Sequence, residues 1–121
     1  MSDIRNLVER YLAVWNETDP QARRALVDAL WAEDGSYTDP LGEAVGREAF
    51  DATVGAVQGQ FPGLAFSLGP VFDTHHDLAR FTWHLGPAGG EPLVVGFDVL
   101  VADTEGRVAS VFGFLDRVPS A

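Results

Sequence analysis

The hydrophobic period of the chain changes once, at Pro62-Gly63, and that change restricts the folds open to it. Before it, apolar residues recur every three or four positions; after it, they crowd into extended stretches separated by turn residues. Helices gathered in one half and strands in the other predict an α+β domain rather than alternating βαβ units.

In the first half, Ile4, Leu7, Val8, Tyr11, Leu12 and Trp15 share one helical face, predicting a helix from about Asp3 to Glu17. "TDPQARRALVDALWAED" predicts a second helix, capped by Thr18 or Asp19 with Pro20 in its first turn, that sends Ala22, Leu26, Ala29 and Leu30 to the core. Gly35 is expected to stop it, Ser36 to Thr38 to form a short strand, and Asp39-Pro40 with Gly42 to turn the chain. A third helix follows through Phe50, Val54 and Val57, ending near Gly59 and weakened by its glycines.

The second half reads as four long strands, "LAFSLGPVFDT", "LARFTWHLG", "PLVVGFDVLVAD" and "RVASVFGFLDRV", expected to pair as an antiparallel meander. Both faces of the third and fourth are apolar; in the third, Val95, Phe97, Val99 and Val101 alternate with Val94, Gly96, Asp98 and Leu100. One face can pack on the helices and the other needs cover, so a homodimer packed sheet to sheet is expected.

At 121 residues and 46% hydrophobic content, one domain over residues 1–121 is expected, with one core. A formal charge of −10 argues against nucleic acid as a partner, since it repels phosphate. Neither cysteine nor lysine occurs, which removes disulfides, thiol nucleophiles and Schiff-base chemistry. The charged start "MSDIRNLVER" lacks the apolar run of a signal peptide, and no stretch approaches the roughly 20 apolar residues that cross a bilayer, so the expected compartment is the cytoplasm, without membrane contact.

Asp98 is the anomaly in this pattern. A lone carboxylate in an apolar strand must be neutralised, hydrogen-bonded or met by something polar. Asp39, at the turn in "YTDPLG", could cap local backbone donors or, beside Tyr37, carry a proton to and from a substrate. Tyr11 lies on a core-facing helical stripe, yet a buried phenol still needs a partner. Adjacent His75 and His76 with Asp77 sit at an expected turn and make a poor metal set, because neighbours on a strand diverge; no metal is expected. Arg80, Thr82 and His84 alternate with Phe81, Trp83 and Leu85, and the first set reads as a polar outer face.

"RYLAVWNETD", "WAEDGSYTDPLG" and "LVVGFDVLVADTEGRV" resemble the nuclear-transport-factor-2-like superfamily, in its SnoaL-like and ketosteroid isomerase-like branch. The resemblance implies a cone of curved, mostly antiparallel sheet closed by three N-terminal helices, with an apolar pocket and dimerisation through the sheet. It places Tyr11 where the steroid isomerases keep a phenol on the substrate carbonyl, Asp39 on their proton-transferring aspartate, and Asp98 on a protonated acid completing the oxyanion hole, an arrangement well described for that enzyme. Trp15, Tyr37, Phe81 and Trp83 are then the expected substrate contacts. The implied activity is a cofactor-independent isomerase or cyclase acting on a small hydrophobic carbonyl compound. The alternatives are a noncatalytic dimeric module that binds a small ligand, or, were Arg80 to point inward toward Asp98, water activation similar to that of the superfamily's epoxide hydrolases.

Overall fold

The structure, a computed structural model, describes residues 4–119. Helices α1 (Ile4–Asn16) and α2 (Pro20–Leu30) lead into strand β1 (Trp31–Asp39), then β2 (Gly42–Val45), helix α3 (Arg47–Gln60), and the strands β3 (Ala65–His75), β4 (Leu78–Gly86), β5 (Val94–Ala102) and β6 (Val108–Arg117). The first helix buries the expected face, with Leu7, Val8, Tyr11, Leu12 and Trp15 all in the core. Asp3, the expected first residue of that helix, lies outside the described residues.

Asp19 caps α2, its Oδ2 accepting from Ala22 N at 2.9 Å, with Pro20 in the first turn. The buried stripe of α2 differs from expectation: it is Arg23, Val27 and Leu30, while Leu26 remains 38% exposed. Arg23 can be buried because its guanidinium is matched, Nε donating to Asp51 Oδ1 and Nη1 to Gln58 Oε1, both at 2.8 Å. Gln58 in turn donates to the carbonyls of Trp15 and Glu17, so one polar cluster ties the three helices together.

The expected continuation of α2 to Gly35 is corrected: the helix ends at Leu30, and Trp31 adopts extended backbone with φ −89° and ψ 133°. Packing decides this. The Trp31 indole stacks on Phe50 at 3.8 Å between centroids, and its carbonyl accepts from Arg47 Nε at 2.8 Å. Gly35 is a packing glycine inside β1, since a Cβ there would stand 2.5 Å from Trp31 Nε1. The short β2 was not expected; it pairs antiparallel with β1 across the Pro40-Leu41 turn.

The strands form one sheet in the order β2-β1-β6-β5-β4-β3. The last four make the expected antiparallel meander, and β1 joins β6 in parallel. Register shifts in β1–β6, β3–β4 and β5–β6 bend the sheet, and the helices close its concave side. The result is the α+β cone. Val94, Gly96, Asp98 and Leu100 face inward, whereas Val95, Phe97 and Val99 on the outer face stay only half-buried beside exposed Phe112 and Phe114.

Candidate active site

Inside the cone, Asp98 on β5 is 3% exposed and its carboxyl is hydrogen-bonded to two side chains. Tyr11 of α1 meets its Oδ2 at 3.1 Å, and the Trp83 indole nitrogen of β4 donates to Oδ1 at 3.0 Å. Two glycines make room for this. The indole lies across Gly96, where a Cβ would come within 2.0 Å of the ring, and a Cβ on Gly113 would sit 2.9 Å from Asp98 Oδ1.

The same Gly113 Cβ would lie 3.5 Å from the Cβ of Asp39, so this glycine occupies the gap between the two carboxylates. Asp39 ends β1, and its side chain shapes the turn: Oδ1 accepts from the backbone N–H groups of Leu41 and Gly42 at 2.8 and 3.0 Å. Oδ2 accepts from the Tyr37 hydroxyl at 2.8 Å. A carboxylate oxygen has two lone pairs. Oδ1 is therefore filled by its two donors, and Oδ2 keeps capacity for a proton.

Tyr11, Asp98, Asp39, Tyr37, Trp15 and Trp83 all line one apolar cavity of about 180 Å³. Phe81, expected there, does not line it: it is fully buried with its ring edge-on to Tyr11 at 6.1 Å. It shares a strand face with Trp83 but lies one step deeper, opposite Asp98, and backs the phenol instead of meeting a ligand. Phe61 and Val57 of the α3 end, Leu41 of the turn and Val118 of the C-terminal segment also reach the cavity; of these only Val57 stood out in the sequence pattern, as a helical apolar residue and not as a substrate contact.

Burial pushes the Asp98 carboxyl up from the ordinary aspartate value of 3.8 to about 7; the charge of Asp39 adds to this, and the donors Trp83 and Tyr11 act against it. Tyr11 and Tyr37 are both held well above the usual phenol range, first by burial and then by the Asp98 carboxylate, so each remains a protonated donor. Near neutrality Asp98 exists in both forms. Because an indole can only donate, Oδ1 of the neutral acid stays the acceptor and the proton resides on Oδ2, beside the Tyr11 hydroxyl. Two O–H donors thus meet at one point in an apolar chamber, close to a carboxylate able to take a proton.

Arg80 is exposed on the outer face and pairs with Asp73 at 3.5 Å, so the pairing with Asp98 that water activation would need is not formed. His75 and His76 are exposed at the β3–β4 turn, and among the described residues no group of three or more His, Asp or Glu is arranged to hold a metal ion. No described helix is long and apolar enough to cross a membrane.

The sequence profile of the SnoaL-like domain matches residues 8–111. The structure is similar to that of a provisionally named isomerase of the SnoaL-like family from Agrobacterium tumefaciens, with 40% identity over 92% of this chain and 95% of that one and a TM-score of 0.86. It also resembles an NTF2-like protein of unknown function from Cytophaga hutchinsonii, at 12% identity over 96% and 92% of the two chains and a TM-score of 0.71. A provisionally named SnoaL-like polyketide cyclase from Jannaschia is 17% identical over 91% and 85%, with a TM-score of 0.70. These last two likenesses concern the fold alone. No curated protein matched the chain.

Proposed function

The chain belongs to the SnoaL-like family of the nuclear-transport-factor-2-like superfamily, and we propose that it is a cofactor-independent isomerase or cyclase moving a proton next to the carbonyl of a small hydrophobic compound. The observation that carries this reading is the meeting of Tyr11, neutral Asp98 and Asp39 on one apolar cavity. In the proposed reaction Asp39 Oδ2 takes a proton from the carbon beside the carbonyl, and the C–H electron pair moves into the C–C bond as the carbonyl oxygen becomes an oxyanion. Tyr11 and Asp98 donate to that oxygen, in surroundings dry enough to make both hydrogen bonds strong. Asp39 then returns the proton to another carbon, completing an isomerisation, or the enolate carbon attacks a second carbonyl and closes a ring, the first carbonyl re-forming and the new alkoxide taking the proton from Asp39. Tyr37 holds Asp39 Oδ2 in place through both steps.

Provisional isomerase and cyclase names among similar proteins agree with this class of chemistry. A panel of enolisable carbonyl compounds, assayed with the wild-type protein and Asp39→Asn, tests it. The substitution keeps the turn but removes the base, and unchanged turnover would falsify the proposal.

A second reading has its own support: Tyr11 and Asp98 already satisfy each other at 3.1 Å, which suits a noncatalytic module that binds a small hydrophobic ligand. Binding from the same panel without turnover of any member would favour it. The exposed Phe112 and Phe114 beside half-buried Val95, Phe97 and Val99 further support a sheet-to-sheet homodimer, to be checked by sedimentation across micromolar concentrations. A cytoplasmic location belongs to the same proposed reading.

A further inference from the structure

We infer that the ligand of this cavity is a neutral enone or ketone of one or two rings, and that larger fused systems and carboxylate-bearing compounds are excluded from its polar end. This deepens the proton-transfer reading and rests on it for the carbonyl; the limits of size and charge come from the walls.

Size is the first limit. An apolar cavity of roughly 150 Å³ accommodates one benzene ring. At the packing density of a protein interior, about 0.74, the 180 Å³ found here holds on the order of 130 Å³ of ligand, enough for a substituted single ring or two small fused rings and too little for three or four. The buried walls cannot retreat cheaply, since Tyr11, Leu12, Trp15, Tyr37, Leu85 and Val94 are each at most 7% exposed and belong to the close-packed interior. Growth is open toward the mouth, where Leu41 and Val118 line the cavity while being 81% and 55% exposed. Asp98 and Tyr11 lie at the opposite, buried end. A flexible substituent can therefore trail outward from a ring whose carbonyl faces Asp98, but a rigid system of three or four rings cannot bring its carbonyl that far in.

Charge is the second limit. The chain has no lysine, and among the described residues neither arginine nor histidine lines the cavity. Two carboxyl groups do. An anionic ligand would give up its hydration beside Asp39 with no counterion, which rules out free acids and phosphorylated compounds. The donors at the buried end, a phenol and a neutral carboxyl, suit one uncharged carbonyl oxygen, and the Gln60 amide that also lines the cavity is uncharged. Aromatic side chains from Trp15, Phe66 and Trp83 supply flat walls for a planar conjugated ring.

The test measures binding by isothermal calorimetry to the full chain for four probes: cyclohex-2-enone bearing a short alkyl tail, the same ring bearing a carboxylate, a fused three-ring enone and a four-ring steroid enone. The tailed single ring is expected to bind at least about tenfold more tightly than each of the others. Equal or tighter binding of the three-ring, four-ring or carboxylate compound overturns the inference, as does failure of the tailed ring to bind. Turnover separates this from the parent proposal: the same ranking in a wild-type protein that turns over none of the probes sinks proton transfer and leaves the ligand class standing. Asp39→Asn, which removes one of the two carboxyl groups facing the ligand, should keep the ranking by ring number and narrow the gap to the carboxylate probe; an unchanged gap counts against the charge limit. Leu85→Ala, confirmed as folded by circular dichroism, enlarges the buried wall and should raise three-ring affinity about tenfold relative to the single ring; no relative gain also counts against the size limit. Should that variant not fold, Leu85→Val applies the same test with a smaller gain.

Discussion

The indole nitrogen of Trp83 lies 3.0 Å from Oδ1 of Asp98, and this contact selects the oxygen that can carry the acid's proton. Phenylalanine at position 83 would keep a ring over Gly96 and delete only the donor. With the indole gone nothing holds Oδ1 as the acceptor, and the Tyr11 hydroxyl, which donates to Oδ2, favours the proton on Oδ1 instead, which lowers the competent fraction. The donor also lowers the Asp98 pKa, so its removal raises it. Trp83→Phe is therefore expected to reduce kcat with little change in KM, and to move the alkaline fall of the pH–rate profile upward. A fall that stays in place or moves downward contradicts the assignment.

Asp98 makes stability itself pH-dependent, with a sign opposite to that of a salt-bridged aspartate. In the unfolded chain the group titrates near its ordinary 3.8, and in the fold at about 7, so between these values only the folded state holds the proton. Stability then declines as pH rises from about 4 to 7 and levels off above, by on the order of 4 kcal/mol in total. In Asp98→Asn the side-chain amide would accept from Trp83 through its oxygen and offer an N–H to Tyr11, mimicking the neutral acid permanently. Urea titrations of wild type and this variant at pH 5 and pH 8 should show the variant gaining several kcal/mol relative to wild type at the higher pH, and its rate should lose the alkaline fall. A constant stability difference across that range would remove the buried acid from the account.

Much of this was legible in the sequence because the strongest signals were periodic. Tyr11, Leu12 and Trp15 sit on a helical stripe that could only face inward, and an aspartate among valines on β5 is conspicuous for the cost it implies. What escaped were properties of neighbours distant in the chain. Trp31 fits a helical pattern until Phe50 is known to lie under it, and β2 is four residues long. Phe81 and Trp83 share a face, but alternation gives no depth, and only the helix above decides which one meets the cavity. Gly96 and Gly113 read as ordinary strand glycines; their role appears once Trp83 and the carboxylates are set against them.

Arg23 escaped for a related reason, since an arginine on an amphipathic helix is ordinarily placed outside. Its side chain is 10% exposed and that of its partner Asp51 is 18%. Arg23→Ala would strand Asp51 and Gln58 at the junction of the helices, an effect on the order of 3 kcal/mol. A lower urea midpoint with unaltered kcat is expected, because the cluster lies outside the cavity. A loss of kcat in variant protein that is still fully folded would show that the junction also positions α1 and its Tyr11.

Gly113 tests the site at its tightest point. Glycine in a strand costs conformational entropy, so alanine would ordinarily stabilise by roughly 0.5–1 kcal/mol. Here the added methyl would stand 2.9 Å from Asp98 Oδ1 and 3.6 Å from the Thr38 carbonyl, within the gap that separates the acid from Asp39. Overpacking of this kind costs about 1–3 kcal/mol, and displacing Oδ1 also breaks the indole hydrogen bond. Gly113→Ala should lower the melting temperature, change the near-ultraviolet dichroism of Trp83 and reduce kcat/KM. Gly59→Ala is the matched control: it lies in α3 with nothing within 4 Å of its added methyl, and it should stabilise. If both substitutions stabilise and leave kcat/KM unchanged, the two carboxyl groups do not crowd the β6 backbone as described.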